Sequence, residues 1–471
     1  MADRKYAFFK NHMFMIGFGS IGQGTLPLIL RHFDIKPEQI TIITADDRGH
    51  EVAAEYGVTF IQEGLRQDNY RRVLGEKLHA GDFVVNVSVD VSSVAIIELC
   101  QEKGALYVDT VVEPWANTYL DPNLTPIQRS NYAMRESALA LQPKYPNGHT
   151  AVLCHGANPG LVNHFVKQAL LNMAHDTGLR VTTPSSREDW GKLARSLNVK
   201  TIHIAERDTQ VAKAPKRVGE FVGTWSIDGL YGEGNQPAEL GWGTHEKALP
   251  PLAVHYPSGC NAAIFLNRRG CTTRVRSWTP LEGPYQGFLI THNEAISIAD
   301  YLTLKCDDNV CYRPTCHYAY HPCDDTVLSI HEMCGKNYKE PTKKRLMCDE
   351  IVDGIDELGV LLMGNDKGVY WYGSRLSIQQ TRAIAPHNNA TTLQVVAAVL
   401  SGMVWAIENP KAGIVEPEYM DFKRVLEVAV PYLGDVVGVW GSWSPIKDRS
   451  TLFPEDVDPS DPWQFKNILV G

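Results

Sequence analysis

Long hydrophobic runs are scarce in this 471-residue chain. The most apolar stretch, Leu393 to Ile407, is broken by Gln394, Ser401 and Gly402 and reads as too short to span a bilayer. A buried helix is expected there, and no membrane partner. The first apolar run follows Lys10 and His12 and continues straight into a glycine loop, so it reads as a strand rather than a secretory leader. Basic charge is in deficit, with 45 Lys and Arg against 54 Asp and Glu and a net charge of −9. That balance argues against a general nucleic-acid binder, which needs a basic face, and weakly suits a cationic ligand. Internal repeats, low-complexity tracts and charge blocks are absent. Cysteine is not scarce, but closely matched cysteine pairs are. Cys306, Cys311, Cys316 and Cys323 lie near His317, His321 and His331 at spacings looser than those of zinc sites. No metal is therefore expected, and the ten cysteines read as reduced thiols of a cytoplasmic protein.

What is present begins with Met15-Ile16-Gly17-Phe18-Gly19-Ser20-Ile21-Gly22. The apolar His12 to Ile16 predicts a buried strand, and Gly17, Gly19 and Gly22 give the G-x-G-x-x-G spacing that opens a helix at Ser20 and Ile21. Glycine there permits the tight turn, the close approach of backbone to a pyrophosphate and close helix–strand packing, while the helix N-terminus offers unpaired N–H groups. Ile40 to Thr44 predicts a second buried strand, with Asp46 just past its end where a ribose-binding acid belongs. Asp46 favours NAD, and Arg48 leaves NADP as an alternative.

Strands are predicted at Val58 to Ile61, Asp82 to Val87, Ala105 to Asp109 and Thr150 to Cys154, with helices at Ser20 to His32, Asn69 to Leu78 and Ser92 to Lys103. Apolar strands alternating with amphipathic helices make a doubly wound, Rossmann-type parallel sheet. After about residue 176 the strands become shorter and alternating. Glu357 to Met363 and Val369 to Tyr372 flank a glycine-rich turn and predict a hairpin. The fold class is therefore α/β, a parallel-sheet domain plus an α+β domain with a mainly antiparallel sheet. Expected boundaries are 1–156 for the first and 157–385 for the second, with 386–471 returning to the first.

Ligands of such sheets bind beyond the carboxyl ends of the strands. Those ends carry Gly17 to Gly22, Asp46, Ser88 to Asp90, Thr110 to Glu113 and His155-Gly156-Ala157-Asn158-Pro159-Gly160. Two carboxylates here, Asp90 and Glu113, suit an amine better than an acid. The second domain adds Glu206, Trp225, Glu233, Trp242 and His292 as candidates; a tryptophan face can hold an alkylammonium by cation–π attraction.

The GFGSIG loop, Asn86 to Asp90, Thr110-Val111-Val112-Glu113-Pro114-Trp115 and the CHGANPG turn together resemble the bacterial homospermidine synthases. The resemblance runs on through Ile204 to Gln210 and Thr224-Trp225-Ser226 and covers essentially the whole chain. More distantly, the glycine loop, the Asn-Pro-Gly turn and the late helix resemble saccharopine dehydrogenases. The closer resemblance implies a cytoplasmic homodimer that joins two putrescines, or putrescine and another polyamine, with release of ammonia and recycling of NAD. It implies cofactor contacts at Gly17, Gly19, Ser20, Ile21, Gly22, Asp46, Ser88, Thr110 and Ala157, and substrate contacts at Asp90, Glu113 and Trp225. It places the chemistry at Asn158, Glu206, Glu233 and His292, with the identity of the base open. The competing readings are an amino-acid oxidoreductase of the saccharopine type, whose cleft would need arginines or lysines, and a non-catalytic dinucleotide sensor.

Overall fold

The computed structural model of the chain describes residues 4–449 and 452–471. The first sheet is built from β1 (Met13–Ile16), β2 (Ile40–Thr44), β3 (Thr59–Gln62), β4 (Phe83–Asn86), β5 (Leu106–Asp109) and β6 (Ala151–Val152). Met13 to Ile16, Ile40 to Thr44 and Phe83 to Asn86 are buried along their whole length, which is why they lack the alternation of a half-exposed sheet. Helices α1 (Ser20–His32) and α2 (Ser93–Lys103) lie between strands; Ser92 caps α2 by accepting from Ala95 N at 3.3 Å. After α3 (Asn131–Leu139), α4 (Leu161–Asp176) leads out of the first sheet.

The second sheet is ten-stranded. Its core consists of β7 (Thr201–Asp208), β8 (Pro237–Gly241), β9 (Ala253–His255), β10 (Ala263–Arg269), β11 (Arg274–Thr279) and β12 (Gly283–Phe288), then β13 (Thr315–His321), β14 (Ile355–Met363) and β15 (Val369–Ser377). Between them run α5 (Ile227–Asn235), α6 (Asn293–Tyr301) and α7 (Asp324–Gly335). β7 is parallel to β13 and antiparallel to β14, and β14 and β15 form the expected hairpin. On β7, Ile202 and Ile204 are buried in the largest apolar cluster, and the period of two puts Glu206 and Asp208 on the same face.

The chain then enters α8 (Ala390–Glu408), β16 (Ile414–Val415), α9 (Phe422–Ala429) and β17 (Asp435–Gly441). β16 completes a seven-stranded parallel sheet, in the order β3-β2-β1-β4-β5-β6-β16. β17 instead pairs with β15, so residues 386–471 are divided between the two sheets rather than returned to the first alone. The register Val369 to Gly441 through Ser374 to Val436 is what draws β17 across.

Three local expectations change. α8 is 19 residues long, enough by length and composition to cross a membrane, but 89% of its apolar window is buried against α1, β5, β15 and α9. The helix expected over Asn69 to Leu78 narrows to one wide turn, Arg71–Gly75, flanked by turns; Asn69 fixes its entry by accepting from Arg66 N at 2.7 Å and donating to Gly64 O at 3.0 Å. Cys306 and Cys311 are joined in a disulfide rather than reduced, since the hairpin of Leu304–Cys306 on Asn309–Tyr312 brings their Cα atoms to 5.6 Å.

Candidate active site

The strand order reverses between β1 and β4, and the glycine loop stands at that switch point. Gly17 has φ 84°, and a Cβ there would lie 2.7 Å from Ser88 Cα; a Cβ at Gly22 would lie 2.8 Å from Gly17 O. Nothing lies within 4 Å of a Cβ built on Gly19, which caps α1 without a side-chain hydrogen bond. The loop is thus packed tightly behind and open in front, with Ser20 and Ile21 in the first turn of α1 and its N–H groups facing the opening. Those features fit a dinucleotide pyrophosphate. Ser88 donates its hydroxyl to Asn86 Oδ1 at 2.6 Å, and Thr110 packs by Gly156. Asp46 lies past β2 and takes both the Nε (2.8 Å) and Nη2 (2.7 Å) of Arg48. The hydrogen bond from Arg48 holds its carboxyl below the usual range.

Past β6, the Gly156 to Gly160 turn is closed by Gly156 N donating to Pro159 O at 2.8 Å and Leu161 N donating to Gly156 O at 2.9 Å. Gly160 has φ 123°, and a Cβ there would sit 2.2 Å from Gly156 O, so only glycine closes this turn. Ala157 is buried inside it. Asn158 leaves the turn towards β7 and donates to Glu206 Oε2 at 3.2 Å. The same oxygen accepts from the Tyr318 hydroxyl on neighbouring β13. Burial raises the Glu206 carboxyl above its ordinary range, and the bonds from Tyr318 and Asn158 pull it part of the way back.

His292 lies beside this group, its ring centroid 4.3 Å from that of Tyr318. Nε2 is 3.2 Å from Glu233 Oε2, and Nδ1 is 3.2 Å from Glu294 Oε1. Burial by itself would lower the imidazolium, but the carboxylates of Glu294 and Glu233 outweigh it and raise the pKa to about 10. His292 is therefore a cation at neutral pH. Trp225 donates from Nε1 to the Tyr320 hydroxyl at 2.9 Å, and the Tyr320 ring stacks on Tyr318 at 5.0 Å.

Glu233 lies on α5 and lines a cavity of about 220 Å³ between the two sheets. Asp90 and Glu113 line it from the first sheet, with Asp90 N donating to Glu113 Oε2 at 3.4 Å. Burial, then Glu233 and Asp90, hold the Glu113 carboxyl well above its usual range; burial, then Asp228 and Glu340, raise Asp90. Asp228 and Glu340 complete five carboxyl groups in the lining, which contains no arginine or lysine. Lys344, outside the lining, pairs with Asp228 and, at 3.0 Å, with Glu340.

The structure thus joins Asn158, Glu206, Glu233 and His292 through direct contacts and short bridges, and places Asp90 and Glu113 on one cavity wall. Trp225 joins by way of Tyr320. Trp242 does not; it packs edge-on against Phe465, 6.1 Å away, in a separate apolar cluster. Tyr318, Tyr320, Glu294, Asp228 and Glu340 were not singled out by the sequence. The available signals were the alternation His317-Tyr318-Ala319-Tyr320 running alongside Glu206, and Glu294 two residues beyond His292.

This fold and cradle define an enzyme of the saccharopine dehydrogenase class. The family model described as the saccharopine dehydrogenase NADP binding domain matches residues 13–152, and the one for the saccharopine dehydrogenase C-terminal domain matches residues 156–441. Saccharopine dehydrogenase from Saccharomyces cerevisiae shares the fold with a TM-score of 0.51 at 9% identity, over 92% of this chain and 100% of that one. Within the class, the chain belongs to the homospermidine synthase family. It is 58% identical to homospermidine synthase of Blastochloris viridis over 97% of this chain and 96% of the relative, and 52% identical to that of Mesorhizobium japonicum over the same shares. The crystal structure of homospermidine synthase from Legionella pneumophila in complex with NAD superimposes with a TM-score of 0.93, at 51% identity over 98% of each chain.

Proposed function

We propose that the protein joins two putrescine molecules, or putrescine and a second polyamine, into homospermidine or its analogue, with release of ammonia and no net oxidation. The observation that carries this reading is the run of contacts Asn158–Glu206–Tyr318 beside a doubly paired His292, whose partner Glu233 also lines an acid-rich cavity. NAD would be held by the loop Gly17, Gly19, Ser20, Ile21 and Gly22, with Asp46 at the ribose and Ser88, Thr110 and Ala157 nearby. When bound it supplies the acceptor and donor that oxidise an amine carbon and later reduce the linked imine. The family model names NADP, whereas a carboxylate at Asp46 repels a 2′-phosphate and its pairing with Arg48 engages the side chain that would accept one. Asp46 and the NAD-bound relative both favour NAD.

Each residue has a task in this reading. Glu206 takes the proton from the reacting ammonium, since its raised carboxyl lies closer to neutrality than an exposed one. Asn158 and Tyr318 aim it. His292, held charged between Glu233 and Glu294, fixes those carboxylates in place. Trp225 faces the distal ammonium of the first amine, where a cation–π contact contributes about 0.5–2 kcal/mol. Asp90, Glu113 and Glu233 receive the second amine, and the cavity walls limit the water that would hydrolyse the imine.

The test is ammonia release from putrescine with catalytic NAD, followed together with absorbance of reduced cofactor. Steady ammonia and homospermidine with no lasting absorbance change support the reading. Stoichiometric accumulation of reduced cofactor and an aminoaldehyde would replace it with a dehydrogenase. A saccharopine-type substrate is disfavoured because its carboxylates would meet a lining with five acids and no base.

A further inference from the structure

Asn158 owes its aim at Glu206 to the turn that carries it, and the bonds that close this turn run within it and into the start of α4. A side chain of α4 ties the turn to elements beyond. Asn163 Oδ1 accepts from Gly160 N at 2.9 Å, two residues past Asn158, and Asn163 N donates to Gly160 O at 3.1 Å. The amide is anchored on its other side as well. Asn163 Nδ2 donates to Glu418 Oε1 at 2.6 Å and to Ser297 Oγ at 3.3 Å, and Ser297 Oγ donates to the same Glu418 oxygen at 2.6 Å.

Each anchor belongs to a different part of the chain. Ser297 lies on α6, whose N-cap is His292, and Glu418 lies in the short turn Pro417–Tyr419 beyond β16. One turn along α4 from Asn163, Lys167 Nζ donates to Glu418 O, and its ammonium sits 5.4 Å and 5.1 Å from the ring centroids of Trp190 and Tyr301. Asn163, Ser297 and Glu418 are all buried, so a lost partner is not replaced by bulk water. The junction needs an amide: one end accepts from a backbone N–H while the other donates to a carboxylate. An ionised aspartate has no donor, and leucine of similar size has neither function.

We propose that Asn163 is a positioning residue for amine transfer. Held by Glu418 and Ser297, it fixes Gly160 and so aims Asn158 Nδ2 at the Glu206 oxygen that also accepts from Tyr318. Asn163 lies outside the lining of the acid-rich cavity and acts through Asn158 rather than on the amines.

The inference rests on the amine-transfer reading. Wild-type enzyme that forms no homospermidine would overturn that reading and the proposal with it; the variants test the proposal alone. Homospermidine formation from putrescine is measured for the full-length enzyme and for Asn158→Ala, Asn163→Ala and the two combined. The expected result for Asn163→Ala is a kcat lower by about tenfold, with KM for putrescine within about twofold of wild type, as for a misaimed group rather than a missing binding contact. The combined variant should be no slower than Asn158→Ala, because Asn163 then has nothing to aim. Asn163→Asp should also be slow. Adding Glu418→Gln should restore most of its kcat, since donor and acceptor are then exchanged and the Ser297 hydroxyl can turn to accept. This exchanged pair decides the question even where Asn163→Ala does not fold. Losses that multiply in the combined variant would overturn the proposal. So would a rise in KM at unchanged kcat, or an exchanged pair as slow as Asn163→Asp.

Discussion

Glu206 is where burial and hydrogen bonding oppose each other most directly. Its O–H donor Tyr318 favours the ionised carboxyl, and burial disfavours it. Tyr318→Phe removes the donor, so the Glu206 pKa rises further. If the carboxylate is the working form, activity climbs as pH rises through that pKa, and the climbing limb moves to higher pH in the variant. A shift of about one pH unit corresponds to the loss of about 1.4 kcal/mol of differential stabilisation. The rate deficit of Tyr318→Phe should accordingly shrink above the limb. A deficit that is the same at every pH would mean that Tyr318 only supports packing. The candidate residues were legible to different degrees. The glycine loop follows from spacing, because phosphate binding at a helix N-terminus dictates it, and Asp46 from its place past the second strand, where a ribose hydroxyl calls for an acid. Glu206, Glu233 and His292 carry no local signature, and their selection depends on resemblance. Tyr318 and Tyr320 were not visible at all, since alternating aromatics on a strand look the same whether they pack a core or hold a carboxyl group.

At the scale of elements, one of the buried contacts between the two sheets is made by an arginine. Arg135 on α3 places Nε 2.6 Å from Glu416 Oε1 and Nη2 2.7 Å from Glu416 Oε2, and Nη2 also lies 2.9 Å from Asp300 Oδ2 at the end of α6. Replacing Arg135 with Met leaves the buried Glu416 carboxylate without its partner, and breaking such a pair costs about 3–5 kcal/mol. Urea denaturation should show that loss, and Arg135→Met combined with Glu416→Leu should recover most of it, because both buried charges are then gone. An Arg135→Met variant with unchanged stability would remove the pair from this role. Element limits were legible where one pattern ruled. α1 spans Ser20–His32 and β2 spans Ile40–Thr44, as the apolar periodicity predicts. Segments governed by distant contacts were not. The segment after Asn69 forms a wide turn rather than a regular helix, and β17 joins the second sheet because its partner β15 lies there.

For the whole molecule, the net charge of −9 gains meaning only from where it concentrates. Carboxyl groups from both sheets meet around one cavity, with Asp90 and Glu113 from the first and Asp228, Glu233 and Glu340 from the second. The sequence shows the surplus of acid and the two kinds of sheet, but the meeting of these carboxyls depends on how the sheets pack, which no local pattern encodes. Such a cleft suits a reaction in which amines exchange while the reduced cofactor stays in place. Putrescine deuterated at both carbons beside its nitrogens, turned over in ordinary water with an excess of unlabelled NADH, measures this directly. A tightly held, redox-neutral reaction predicts homospermidine that keeps its full deuterium label; extensive loss of label to the NADH pool would contradict it.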